Sequence, residues 1–341
     1  MRRLAEVLGL LLAAIGLYVL AFACVLDRPL SLGTLRRALD DKLAYAAGLP
    51  APKLVILAGS NALFSHSCAI IGAMLRLPCV NGGVAQGLAL DYQFALWKPL
   101  LGPGDIIYMP MELQQYVVTA AAARAGPDAA IMLRHDRATL ARLGPARIVA
   151  AAFSSTAEDA VLSLIETAAL ALHPALAEQP FTMTDAAGDG IGHTLARATV
   201  NRGFLAGLHR PDPAPGAIEA GHGSAEIAQF LDWARGHGTR VIGGWPTEFA
   251  DAPPDPRLAA VLAGLYGAHG AIFLPLADQG RYPRADFFDS QDHLASECQA
   301  QHSVAVAFGL ASLLGRRADA PPGFAAADAA RCRGVSESPA A

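Results

Sequence analysis

At 341 residues, 53% hydrophobic and 16% charged, the chain is more apolar than an average soluble domain and long enough for one large domain or two small ones. A net charge of −4 without a Lys/Arg stripe argues against a nucleic-acid partner. Five cysteines without a CxxC argue against zinc-ribbon and thioredoxin-like motifs, and ten histidines without an HxxxH or HxH pair argue against a metal site. No metal and no cofactor is expected.

Val7 to Leu26 is an uncharged run preceded by Arg2 and Arg3 and followed by Asp27-Arg28-Pro29. It reaches the roughly 20 residues a helix needs to cross a bilayer. Residues 1–28 are therefore expected to form a single-pass membrane anchor. The alternative is a cleaved leader, with Ala21-Phe22-Ala23 as a small-x-small cleavage site and Cys24 as a lipoprotein-like ending. Arg2 and Arg3 compete with Arg28, Arg36 and Arg37, so charge alone does not set the orientation.

Residues 29–52 read as a juxtamembrane helix or linker, with Leu32, Leu35, Leu39 and Leu43 at helical spacing. A βα rhythm follows. Strands are expected at Lys53–Ala58, Cys79–Asn81 and Asp105–Met109, with helices at about Ala62–Leu77 and Leu88–Lys98 between them. Residues 115–222 carry few strand signals and read as a helical insertion, including a helix over Ala157–Ala171. The alternation resumes with a helix at Ala225–Arg235, a strand at Arg240–Gly244, a helix from Asp255 to Ala268 and a strand at Ala271–Leu274. A helix over His293–Leu314 closes the domain. The pattern predicts a parallel α/β sheet of about five strands flanked by helices over 53–316, and a disordered tail over 317–341. In an oxidising compartment Cys68 and Cys79 are the nearest pair; buried free thiols are the alternative.

Sites in open parallel sheets form at the carboxyl ends of the strands. Ser60 follows the first strand at a helix start, Asn81-Gly82-Gly83 follows the second, and His293 precedes the closing helix. A serine needs a base to become a nucleophile. Its ordinary use at such a turn is as a helix cap, and His293 read alone is a surface or capping histidine. His66 is an alternative base. His193 lies in a glycine-rich loop, and Trp245 lines a pocket or packs the rim.

The order of these segments resembles the SGNH/GDSL hydrolases, especially membrane-anchored members related to bacterial surface-polymer acyl modification. Ala58-Gly59-Ser60 stands for their Gly-Asp-Ser-like turn, Asn81-Gly82-Gly83 for their glycine block, and Asp289-Ser290-Gln291-Asp292-His293 for their acid–histidine block. The resemblance implies a flavodoxin-like sheet, Ser60 as nucleophile, His293 as general base and Asp289 as the carboxylate orienting it. Asp292 is the other acid available. It implies oxyanion donors at Ser60, Gly83 and Asn61, and substrate contacts at Asn81, Glu112 and Trp245. The family's acid lies three positions before the histidine, where this chain has Ser290. Its Asn after the third strand is missing from Tyr108–Leu113, where Glu112 stands.

The implied activity is a serine esterase or O-acyltransferase on an acylated carbohydrate or cell-envelope polymer. The implied location is the bacterial inner membrane, with the domain facing the periplasm or exterior and a membrane O-acyltransferase as a possible partner. A non-catalytic binding or assembly subunit of an envelope polysaccharide system is the other expectation.

Overall fold

The structure, a computed structural model, describes residues 2–179, 183–251, 253–319 and Cys332. The run Leu54 to Ala58 is wholly apolar, and β1 (Leu54–Ile56) is buried throughout. That is the pattern of a strand covered on both faces. β2 (Cys79–Asn81), β3 (Ile106–Met109), β4 (Arg240–Gly243) and, after a short β5 (Glu248–Phe249), β6 (Ile272–Phe273) complete a five-stranded parallel sheet in the order β2-β1-β3-β4-β6. β5 pairs in parallel with β7 (Arg281–Tyr282) as a separate ribbon. β1 lies between β2 and β3, so strand order reverses there and leaves a crevice at the carboxyl ends of β1 and β3. The Ser60 turn and Glu112 leave the sheet at those two ends.

Local chemistry sets several boundaries. The single helix expected over 62–77 is two helices, Ser60–Ser65 and Cys68–Leu75. The break falls at Ser67, whose side chain accepts from Ile70 N–H as the cap of the second helix. Asp255 caps Pro256–Ala268, with proline at the first helical position. The closing helix, Ser296–Leu314, starts just beyond His293.

The chain separates into two compact units. One comprises residues 1–38, 87–96 and 120–181; the other comprises 39–86, 97–119 and 182–341. The stretch expected as one helical insertion, 115–222, is therefore divided. Residues 120–181 group with the N-terminal helix, whereas 182–222 belong to the α/β unit, because Gly188–His193 pack against the helices that follow β1.

In the first unit, the helix Arg2–Val25 contains one segment, Arg2–Phe22, long and apolar enough to cross a membrane. Tyr18 stacks on Phe153 at 5.4 Å and donates to Ser155 O at 3.0 Å. These contacts fasten the elbow between helices Pro145–Ala152 and Ala157–Leu172 to the N-terminal helix. Glu166 accepts from Leu30 N, Ser31 N and Ser31 Oγ, which caps the start of helix Ser31–Gly48.

In the second unit two disulfides form, Cys68–Cys79 and Cys298–Cys332. The first joins the start of a helix to β2. The second ties Cys332 into an apolar cluster with Tyr282, Phe287 and Leu294. The tail expected over 317–341 lies, apart from its first three residues and Cys332, outside the described residues.

Candidate active site

The turn after β1 is built around a carboxylate. Glu112, fully buried, accepts Gly59 N–H through Oε2 and Asn61 N–H through Oε1, each at 2.9 Å. Gly59 is required by close approach: a Cβ there would lie 2.5 Å from both Gln86 Cα and Glu112 Oε1. Burial, then the nearby Asp292, raises the Glu112 carboxyl to about 7, against the opposing effect of the two amide donors. Ser60 is the first residue of its helix, and the cap position belongs to Gly59. Ser60 therefore does not cap. Its hydroxyl and its N–H form no hydrogen bond among the described residues.

Asn61 is part of the frame. Its Nδ2 donates to Pro110 O, and its Oδ1 accepts from Thr247 N and Thr247 Oγ1. With its N–H on Glu112 as well, it is not placed as the oxyanion donor expected of it. Gly83 differs from expectation in the same way. Its N–H donates to Asn81 Oδ1 at 3.0 Å, and a Cβ there would meet Gly59 O and Ala62 Cβ at 2.6 Å. It lets two segments approach rather than facing a substrate. Asn81 is buried and bonded to Ala62 O, His66 O and Asp189, which leaves it structural. Trp245 is also buried, edge-on to Phe273 at 5.3 Å, and lines no accessible surface. Glu112 supports the turn from beneath, and full burial removes it from substrate contact.

His293 sits in the loop closed by the Phe287–Leu294 bridge. Its Nδ1 is 2.7 Å from Asp289 Oδ1, while Nε2 has no hydrogen-bond partner among the described residues. Asp292 Oδ1 approaches Nε2 at 3.8 Å. Both acids weighed from the sequence thus face the ring, Asp289 by a direct bond and Asp292 across a gap. Burial lowers the basicity of His293, but Asp292, the bond to Asp289 and Glu112 outweigh it, and the net shift is upward.

Two features bring the serine and histidine segments together. The His293 ring stacks on Phe64 at 4.2 Å between centroids, and Phe64 lies one helical turn after Ser60 on the same face. Thr247 Oγ1 and Ser65 Oγ both bond Asp292 O, and Thr247 also holds Asn61. No hydrogen bond joins Ser60 to His293 in this arrangement. Thr247, Ser65 and Phe64 were not singled out from the sequence, and a lone threonine after a strand carries no signal that would find them.

His66 is not a base for Ser60. It is buried, with Nε2 3.2 Å from His302 Nε2, and burial holds it well below the usual histidine range. His193 stands edge-on to Phe64 at 5.2 Å, with neither ring nitrogen bonded among the described residues, and burial lowers it to about 4. Asp286, Cys298 and Cys332 are close enough to hold a metal ion, but the two sulfurs are joined as a disulfide.

The chain matches no family model, no curated protein and no solved structure. A histidine oriented by one carboxylate, with its other nitrogen unbonded, is equipped to move a proton at that nitrogen. An unbonded serine at a helix start offers both a hydroxyl and an N–H on one rim.

Proposed function

We propose that the chain is a membrane-tethered serine esterase or O-acyltransferase acting on an acylated carbohydrate or envelope polymer, an SGNH-like enzyme with Ser60 as nucleophile and His293 as base. The observation that carries this reading is the Asp289–His293 pair stacked on Phe64, one turn from an unbonded Ser60. Asp289 holds the proton on Nδ1, so Nε2 accepts the Ser60 proton as Oγ attacks the acyl carbonyl. Ser60 N–H faces the developing oxyanion, and Glu112 fixes the turn that presents it. The imidazolium then protonates the departing oxygen. Water or a sugar hydroxyl resolves the acyl-enzyme, which separates esterase from transferase.

The N-terminal helix supports tethering, and two disulfides favour an oxidising compartment, hence a domain facing the periplasm or exterior. A membrane O-acyltransferase is the partner that this location and chemistry suggest.

A second reading, a non-catalytic binding or assembly subunit, is favoured by one observation. Gly83 N–H and Asn61 N–H are both engaged internally, which leaves Ser60 N–H as the principal oxyanion donor. An active-site serine probe decides between them. Labelling that disappears in Ser60→Ala and in His293→Ala supports catalysis; folded wild-type protein that resists the probe supports the binding reading.

A further inference from the structure

A cleft of about 380 Å³ has Arg210, Asp212, Glu248 and Arg281 in its walls. Two links join it to the segments that carry Ser60 and His293. Arg210 Nη1 donates to Gln86 Oε1 at 3.2 Å, and the backbone of Gln86 packs on Gly59. On the other side, Gln291 Nε2 donates to Glu248 Oε2 at 2.8 Å, two residues before His293.

The β5–β7 ribbon sets Glu248 directly opposite Arg281. Each leaves one buried polar atom without a partner among the described residues: Glu248 Oε1 and Arg281 Nε. Glu248 is only 3% exposed. Buried polar atoms in folded proteins are ordinarily bonded, so two neighbouring unpaired ones on a cavity wall mark a place where a ligand completes the set. The charge balance gives the sign of that ligand. Arg281, Arg284 and Arg257 are paired with Asp212, Asp251 and Asp255. Arg210 has a neutral amide as its partner. Burial, then Asp292, raises the Glu248 carboxyl to about 8, so near neutral pH it is a hydrogen-bond donor rather than a fourth negative charge.

We propose that this cleft binds an anionic sugar unit, carboxylated or phosphorylated, of the polymer whose ester Ser60 attacks, with Arg281 Nε, Glu248 Oε1 and the Arg210 guanidinium as its donors. This rests on the esterase reading of Ser60 and His293. Guanidinium and protonated carboxyl groups both donate to an anionic oxygen, and charge-assisted bonds of this kind are the strong ones. The subsite is pH-dependent. Glu248 faces Asp292 and Asp212, which raise it, and Arg281 and Arg210, which lower it. As pH rises through about 8, Glu248 ionises and repels the anion it had held.

Titration calorimetry on the full chain in detergent tests this, with a uronic-acid oligosaccharide, a glycerol-phosphate oligomer and a neutral oligosaccharide of equal length. One anionic probe is expected to bind about tenfold or more tighter than the neutral one. That preference should weaken as pH passes 8, and the probe that wins identifies carboxylate or phosphate. Glu248→Gln should keep binding but lose the pH dependence. Arg210→Gln, at an exposed position with little bearing on folding, should weaken anion binding about tenfold and leave the neutral probe unchanged. Equal affinity for charged and neutral probes, or no binding by either anion, overturns the proposal. Serine-probe labelling of the wild-type chain separates the two failures. Labelled Ser60 without anion binding removes only the subsite; anion binding without labelling removes the esterase reading and leaves a binding cleft.

Discussion

Asp289 Oδ1 stands 2.7 Å from His293 Nδ1, and that bond assigns the two ring nitrogens different tasks. In the proposed mechanism Nδ1 keeps its proton against the carboxylate, and Nε2 carries the lone pair. General-base catalysis requires the neutral ring, whose pKa is raised above the usual histidine value. Ester turnover should therefore rise with pH through a midpoint above about 6.5. Asp289→Asn removes one of the raising influences, so its midpoint should shift to lower pH while kcat/KM falls by about 10²- to 10⁴-fold. A pH–rate profile on a soluble acetyl ester checks both. An unchanged midpoint in the variant would detach Asp289 from the histidine.

Glu112 makes a sharper prediction about stability. Its two oxygens each accept a backbone N–H, from Gly59 and Asn61. Glu112→Gln, although nearly isosteric, presents an amide NH₂ to one of those donors. The buried mismatch should cost about 1–3 kcal/mol, read as a lower denaturant midpoint. The pH dependence carries a definite sign. The folded carboxyl titrates near 7 against 4.5 in the free residue, so the native state binds the extra proton between those values. Wild-type stability from this group is full below 4.5 and is lost as pH rises through 7, so the difference between wild type and Glu112→Gln should shrink over that window.

Much of this frame could be read from the sequence, and the limits have physical causes. The strands at 54–56, 79–81, 106–109, 240–243 and 272–273 are short, mostly apolar segments bounded by glycine or proline, and such segments announce themselves. The β5–β7 ribbon has two residues per strand and no period to detect. Ser60, His293 and Asp289 stand at strand ends and before a helix, where chain order alone places them. The polar residues expected to touch substrate proved to be interior. Asn81, Asn61 and Glu112 bond backbone atoms inside the turn, and nothing in a residue's type separates an inward amide from an outward one. Thr247 and Gln86 act through contacts 186 and 27 positions away from Asn61 and Gly59, which a linear pattern does not carry.

The two disulfides give a compartment-dependent prediction. Peptide mapping without reductant should recover Cys68 linked to Cys79 and Cys298 linked to Cys332. Cys298→Ala should destabilise the α/β unit by about 2–4 kcal/mol, because Cys332 closes the cluster of Tyr282, Phe287 and Leu294 beneath the His293 loop. Recovery of free thiols from protein isolated without reductant would argue against an oxidising location.

Thr247 and Ser60 give opposite expectations, and the contrast separates scaffold from chemistry. Thr247 Oγ1 bonds Asn61 Oδ1 at 2.8 Å and Asp292 O at 3.0 Å, so one hydroxyl couples the serine helix to the histidine loop. Thr247→Val keeps the shape and removes the coupling. It should lose about 0.5–1.5 kcal/mol of stability, the net worth of one hydroxyl hydrogen bond, since Asn61 Oδ1 keeps Thr247 N–H and Asp292 O keeps Ser65 Oγ, and turnover should fall with it. Ser60 forms no side-chain hydrogen bond among the described residues. Ser60→Ala should therefore leave the unfolding free energy within about 0.5 kcal/mol of wild type while abolishing ester turnover. Measured side by side, these two variants assign each hydroxyl its role. If Ser60→Ala unfolds the protein as Thr247→Val does, Ser60 is a structural residue; if it is stable and still turns over ester, the nucleophile lies elsewhere.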